Sequence, residues 1–221
     1  MLFKNRQEAG FKLGQKLKSY SNNSEAIVLA LARGGVPVAY EAAKLLNLSL
    51  DVIVVRKIGA PANPELALGA ITLDGQTVWD QTLIEGLRVS QSYLDQKIKL
   101  KKQEVLRRQK LYRGQKPPLI LKDKIVILID DGIATGSSIL AAVKSVKTSG
   151  PNKIIIATPV IAADTIEKLK STVDELIYLS APIFFMSVGS FYDNFEQTED
   201  EEVVKLLTKN RGKYRLLDFI K

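Results

Sequence analysis

Val126-Ile127-Leu128-Ile129-Asp130-Asp131-Gly132-Ile133-Ala134-Thr135-Gly136-Ser137-Ser138 is the stretch on which the rest of the chain turns. Four branched apolar residues in a row suit a strand buried on both faces, as in a parallel sheet. Two adjacent carboxylates end that strand. The short loop that follows carries Gly132, Gly136 and the hydroxyls of Thr135, Ser137 and Ser138, and opens directly into a helical pattern. A helix N-terminus presents unpaired N–H groups and the positive end of a dipole, so such a loop binds a phosphate, and glycine lets the backbone approach it closely. Asp130 and Asp131 would repel a phosphate. They suit hydrogen bonds from sugar hydroxyls, or the orientation of Mg2+. Diol acceptors beside a phosphate cradle describe a ribose 5-phosphate.

Outward from this stretch, strands and helices alternate. Residues 26–33 (AIVLALAR) read as a buried strand, 36–46 as a helix with Val38, Ala42 and Leu45 on one face, and 51–57 (DVIVVRK) as a second strand. Residues 57–66 hold Gly59, Pro61 and Pro64 and read as a loop. Residues 71–79 form a hairpin, with Asp74-Gly75 as a two-residue type I′ turn. A long basic helix over 90–112, with Leu94, Ile98, Val105 and Tyr112 in one apolar stripe, ends at Pro117-Pro118. Strands at 124–129, 153–160 and 175–179 alternate with helices at 137–149 and 162–171. An irregular stretch over 182–197 precedes a helix over 198–207, with Thr198 and Glu201 as a capping box. The pattern predicts an α/β fold: a parallel twisted sheet flanked by helices, with a β-hairpin and a long basic helix insertion over 88–116; the segment over 181–198 is the one that the family resemblance given below implies to be a hood. No linker or repeat divides the 221 residues, so one domain over 1–221 is expected, ligands lying beyond the carboxyl ends of the strands.

Composition narrows the chemistry. The chain has no cysteine and no histidine, which excludes disulfides, Cys/His metal sites and a histidine base. Carboxylates, Lys, Arg, hydroxyls and backbone amides remain, a set suited to phosphates and Mg2+. The net charge is +8, and residues 88–116 carry ten Lys and Arg against Asp95 and Glu104, so that segment accounts for the whole surplus. Such a surplus favours anionic partners. No apolar run approaches the roughly 20 residues that span a bilayer, and Met1–Arg6 opens an amphipathic stretch rather than a signal core, so a cytoplasmic location and no membrane partner are expected.

Three further groups carry chemistry. Ala30-Leu31-Ala32-Arg33-Gly34-Gly35-Val36-Pro37 is a second strand end opening through glycines into a helix, where amides and Arg33 could hold another phosphate. Arg56 and Lys57 end the next strand beside the Gly/Pro loop. Residues 182–197 (PIFFMSVGSFYDNFEQ) crowd five aromatics into an irregular segment. There, Phe191 and Tyr192 could stack on a planar acceptor and Asp193 could bond its edge, or the group could be a satellite core. Phe3, Arg6 and a helix over 1–20 complete the hood.

The stretch 126–138 resembles the 5-phosphoribosyl-1-pyrophosphate (PRPP) motif of type I phosphoribosyltransferases: apolar strand, two acids, then small-Thr-Gly-x-Ser/Thr. Gly132 departs from it, since a branched apolar residue is usual there. The resemblance extends along the chain to a group of bacterial phosphoribosyltransferase-like proteins of undefined acceptor, through residues 3–10, 32–37, 56–70, 112–113 and 188–203. It implies transfer of ribose 5-phosphate from PRPP to a nitrogenous acceptor, such as a nucleobase, with release of pyrophosphate. It implies that Gly132, Ala134, Thr135, Gly136, Ser137 and Ser138 anchor the 5-phosphate. Asp130 and Asp131 would hold the ribose hydroxyls and stabilise charge on the sugar. Arg33, Gly34, Arg56 and Lys57 would receive pyrophosphate, Lys57 from beside a closing loop. Mg2+ would be held mainly through PRPP, with no direct protein ligand, and a homodimer is implied. Six-oxopurine enzymes of this family often carry Asp at the position of Ala134, which cannot move a proton.

Two other classes remain open at this level: a PRPP-sensing regulator or RNA-binding protein without turnover, and a phosphohydrolase acting on sugar phosphates. The basic helix could bind nucleic-acid phosphates, though a dimer contact or a solvated face accounts for it as well. A Rossmann Gly-x-Gly-x-x-Gly and a P-loop Gly-Lys-Ser/Thr are both absent.

Overall fold

β1 (Ala26–Ala32) and β5 (Ile125–Ile129) pair in parallel at the centre of the sheet, Ala26 opposite Ile125 and Ala30 opposite Ile129. The computed structural model describes residues 2–64, 66–117 and 119–218, with side chains described as far as Asn210. β2 (Ser49–Gly59) lies parallel to β1 on one side. β6 (Lys153–Val160) and β7 (Glu175–Ser180) extend the parallel sheet on the other. β3 (Ala67–Thr72) and β4 (Thr77–Trp79) add an antiparallel hairpin, giving the order β4-β3-β2-β1-β5-β6-β7. The carboxyl ends of β2, β1 and β5 therefore stand side by side. Each is followed by one of the polar segments singled out in the sequence.

Both faces of the sheet are covered, which is why its central strands carry unbroken apolar runs. On one face α1 (Arg6–Lys16) and α2 (Gly35–Leu46) pack Leu13, Val38 and Ala42 against Val28, Ala30, Val52 and Val54. Val203 and Leu207 of α7 (Asp200–Asp218) join the same cluster. On the other face Ile139, Leu140 and Val143 of α5 (Ser137–Lys147) and Leu169 of α6 (Ile166–Lys170) cover Leu29, Leu31, Leu128 and Ile156. Each such side chain contributes roughly 1.5–3 kcal/mol when taken wholly out of water.

Between β4 and β5 stand α3 (Gln81–Gly86) and the long α4 (Gln91–Arg113). Ser90 caps α4, its hydroxyl accepting from the Tyr93 amide, and Gly114 ends it at φ 60°. Within the apolar stripe Leu94, Val105 and Tyr112 are buried against the chain's own core, while Ile98 is half-buried. Beyond the helix Asp51, only 5% exposed, takes Arg113 at 3.1 Å and Lys116 at 3.3 Å. Among the described residues no helix is long and apolar enough to cross a membrane.

Several boundaries differ from the sequence reading. β2 continues to Gly59, because Lys57 and Ile58 are held in a ladder with Ala70 and Gly69; the loop begins after them, and its Glu65 lies outside the described residues, as does Pro118. Four residues, 73–76, join β3 to β4. Gly75 alone among them has a positive φ, whereas a type I′ turn needs two such residues. The helix expected over 162–171 splits into a 3₁₀ turn, Ala163–Thr165, and α6. α7 starts at Asp200, two residues beyond a Thr198 cap, and Thr198 is itself buried. α3 is too short to show a period, and the sequence reading missed it.

Candidate active site

Two backbone turns are pressed together where β1 and β5 end. A Cβ built on Gly34 would lie 2.0 Å from Asp131 Oδ2, and one on Gly35 2.7 Å from the Ile129 carbonyl oxygen. Only glycine allows this approach, which explains Arg-Gly-Gly at that junction. The peptide bond between Ala32 and Arg33 is cis.

The 132–138 loop wraps the N-terminus of α5. Gly136 has φ +75° and leads into the helix, while Thr135 Oγ1 and Ser137 Oγ stand 3.2 Å apart. The loop is pinned from behind: Ile133 N donates to the Val160 carbonyl at 2.9 Å, and Thr165 Oγ1 donates to the Ala134 carbonyl. A cavity of about 70 Å³ lies against it, lined by Asp130, residues 132–139, Lys57 and Val188. Gly132, Ala134, Thr135, Gly136, Ser137 and Ser138 thus line one cavity. Gly132 also finds its reason. A Cβ there would meet Val188 Cγ1 at 2.3 Å and Val160 Cγ1 at 3.0 Å, so Val188 of the hood fills the space a branched residue would occupy.

Asp130 lines this cavity, while the neighbouring Asp131 turns its carboxylate toward Arg6. Asp130 Oδ1 accepts from the Asp131 amide at 2.9 Å. Burial pushes the Asp130 carboxyl well above its ordinary value and the neighbouring Asp131 charge adds to this, with Lys57 opposing. Burial raises Asp131 as well, against the pull of Arg6. Arg6 comes from the start of α1. Its Nε is 2.8 Å from Asp131 Oδ2, its other arm donates to the Glu196 carbonyl at 2.7 Å, and its guanidinium lies 3.8 Å from the centre of the Phe195 ring. The sequence reading placed Arg6 only in the hood; nothing local signals that it holds Asp131.

On the far side of Asp130 a second cavity, of about 510 Å³, opens between the ends of β1 and β2 and the flank of α4. Arg33, Gly34, Arg56 and Lys57 line it. Arg33 is also engaged by the start of α7, at 3.2 Å from Glu199 and 3.7 Å from Asp200. Lys101, Glu104 and Arg108 of α4 complete the wall, so the basic helix turns part of its charge inward.

The hood forms from both ends of the chain. Phe3 N donates to the Phe191 carbonyl and Asp193 N to the Phe3 carbonyl, at 2.9 and 2.8 Å. Tyr192 does not offer its ring to an acceptor, as the sequence reading allowed. It is 6% exposed, packed between Phe3 and Phe195, and its hydroxyl donates to the Asp131 carbonyl. Phe191 is half-buried against Phe185, and Asp193 is exposed. Among the described residues no three His, Cys, Asp or Glu stand together to hold a metal ion.

The fold defines the class first: a mixed α/β protein with a seven-stranded sheet and its polar loops at the strands' carboxyl ends. The family model of the phosphoribosyl transferase domain matches residues 3–195, and the chain belongs to that family. Two curated relatives from Mycobacterium tuberculosis strains, provisionally named phosphoribosyl transferases, are 39% identical over 208 residues. The match covers 94% of this chain and 47% of theirs, so the chain spans about half the length of the curated relatives it matches. A crystal structure of a Thermus thermophilus protein is 38% identical, with a TM-score of 0.77, covering 95% of this chain and 99% of that one.

Proposed function

We propose that the protein transfers ribose 5-phosphate from PRPP to a nitrogenous acceptor and releases pyrophosphate. One observation carries this reading: Asp130 lines both a phosphate-sized cradle at an α-helix N-terminus and an adjoining cationic cavity walled by Arg33, Arg56 and Arg108, with Lys57 shared by the two. A ribose bearing phosphate at one end and diphosphate at the other matches that sequence of charges. The loop over 132–138 anchors the 5-phosphate through amides and hydroxyls. Asp130 and Asp131 accept from the 2- and 3-hydroxyls and face the positive charge that builds on the ring as its bond to diphosphate stretches. Lys57, Arg56, Arg33 and the Gly34 backbone receive the diphosphate. Mg2+ arrives with PRPP as part of the substrate. The acceptor nitrogen forms the new bond to C1 as the C1–oxygen bond breaks and that electron pair leaves with pyrophosphate. Ala134 provides no proton relay, which favours acceptors that attack without a carboxylate at that position.

The test is titration calorimetry of PRPP with Mg2+, followed by pyrophosphate release against a panel of nitrogenous bases. Saturable binding with acceptor-dependent release is expected. Binding without release against every base would favour a PRPP sensor, and no binding at millimolar PRPP would overturn the reading. Asp130→Asn combined with Asp131→Asn is expected to abolish binding in a folded protein.

A further inference from the structure

The cavity beyond Asp130 contains more cationic chemistry than the strand ends supply. Arg56 and Lys57 reach it from β2, and Lys101 and Arg108 reach it from α4. Lys101 and Arg108 stand seven residues apart, two turns of helix, and therefore project from one face of α4. Glu104, between them, occupies the same face. It takes Lys101 Nζ at 2.8 Å and lies 3.6 Å from Arg56 Nε. That Nε is buried without a hydrogen-bond partner. A buried donor left unpaired costs free energy; Arg56 lines the cavity, and its Nε would be opened to an anion there by movement of the neighbouring Glu104. Glu104 is 44% exposed while Arg56 and Arg108 are 20% and 15% exposed, so the carboxylate is the member free to swing out.

From this arrangement we propose that α4 is the third wall of the diphosphate compartment. Lys101 and Arg108 bind the diphosphate of PRPP alongside Lys57 and Arg56, and Glu104 is an internal counter-anion that the diphosphate displaces. The inference rests on the PRPP reading of the site and extends it to a helix that the strand-end motifs do not include. It also assigns part of the positive charge of residues 88–116 to a small ligand rather than to a nucleic acid.

Magnesium pyrophosphate alone is the probe, titrated into the wild-type chain and into Lys101→Ala, Arg108→Lys and Glu104→Gln, each checked for folding by circular dichroism. Arg108 also approaches Asp200 at 4.0 Å, so lysine is used there to retain the charge, and Lys101→Ala is the principal variant. Loss of one charge-assisted contact weakens binding by about ten-fold or more. Lys101→Ala is expected to show that loss, Arg108→Lys a smaller one, and Glu104→Gln a several-fold gain. Unchanged affinity in folded Lys101→Ala overturns the wall. Weaker binding by Glu104→Gln overturns the displacement and makes Glu104 a partner of the bound ligand. If the wild type binds PRPP and the double Asp130/Asp131 variant does not, while Lys101→Ala is indifferent, only this inference falls. If the wild type binds neither PRPP nor pyrophosphate, the underlying reading falls with it.

Discussion

Replacing Arg6 by glutamine removes the only cation within hydrogen-bonding reach of Asp131 among the described residues, and its effect is governed by pH. The two groups are 2.8 Å apart, and their side chains are 11% and 13% exposed. At that separation and an effective dielectric constant of about 20, unit charges attract by about 6 kcal/mol. Desolvation offsets much of this, yet removing one partner of a buried pair leaves the other uncompensated, at a cost of about 3–5 kcal/mol. Asp131 limits the loss by taking a proton. Burial already raises its carboxyl above the ordinary value while Arg6 pulls it down, so without Arg6 it rises further. A carboxyl raised in the folded state contributes its stability at low pH, where it is protonated folded and unfolded alike, and loses it as pH climbs past the unfolded value toward the folded one. Urea unfolding of Arg6→Gln should therefore show a loss of about 3 kcal/mol at pH 8 that shrinks toward pH 5. A smaller, pH-independent remainder comes from the Glu196 carbonyl and the Phe195 ring. Adding Asp131→Asn should recover most of the pH-dependent part. A loss identical at both pH values, or one that Asp131→Asn leaves untouched, would refute the reasoning.

Two further outcomes follow from the same neighbourhood. Gly132→Ala forces a methyl group to 2.3 Å from Val188 Cγ1, against the 3.4 Å or more of ordinary contact; it should cost about 1–3 kcal/mol as an overpacked site, and Val188→Ala in the same chain should restore the urea midpoint. Tyr192→Phe takes the hydroxyl from the Asp131 carbonyl and should cost about 1–2 kcal/mol. Burial holds that hydroxyl far above its ordinary range, so the difference should stay flat from about pH 6 to 9.

The parts of the fold visible in the sequence are those whose cause is local. β1 and β5 announce themselves because burial on both faces demands consecutive apolar residues. The 132–138 loop does so because a tight strand-to-helix turn packed this closely leaves glycine and hydroxyls at fixed positions before a helix. Ile58 and Gly59 read as loop because the strand partner that holds them, β3, lies about ten residues away and leaves no mark on their own pattern. Arg6 is legible only as part of the hood; its bond to Asp131 spans 125 residues. Tyr192 looked like an acceptor platform because aromatic crowding does not reveal which rings face inward. α4 was read correctly as a basic helix, but three of its side chains were assigned no site, because periodicity fixes a helix face and not what that face meets.

The pairing of Phe3 with the backbone around Tyr192 has a bearing on how the protein is made. A ribosome adding roughly 5–20 residues per second leaves Phe3 waiting on the order of ten seconds or longer for its partner. During that interval Asp130 and Asp131 can already stand at the end of β5 with no Tyr192 behind them. On the proposed reading, the emerging polypeptide would then hold the 132–138 loop without the hood behind Asp131, so PRPP binding would await the emergence of residues 188–195. Ribosome-stalled chains ending before residue 188 should accordingly fail to retain PRPP, even where their central sheet has formed.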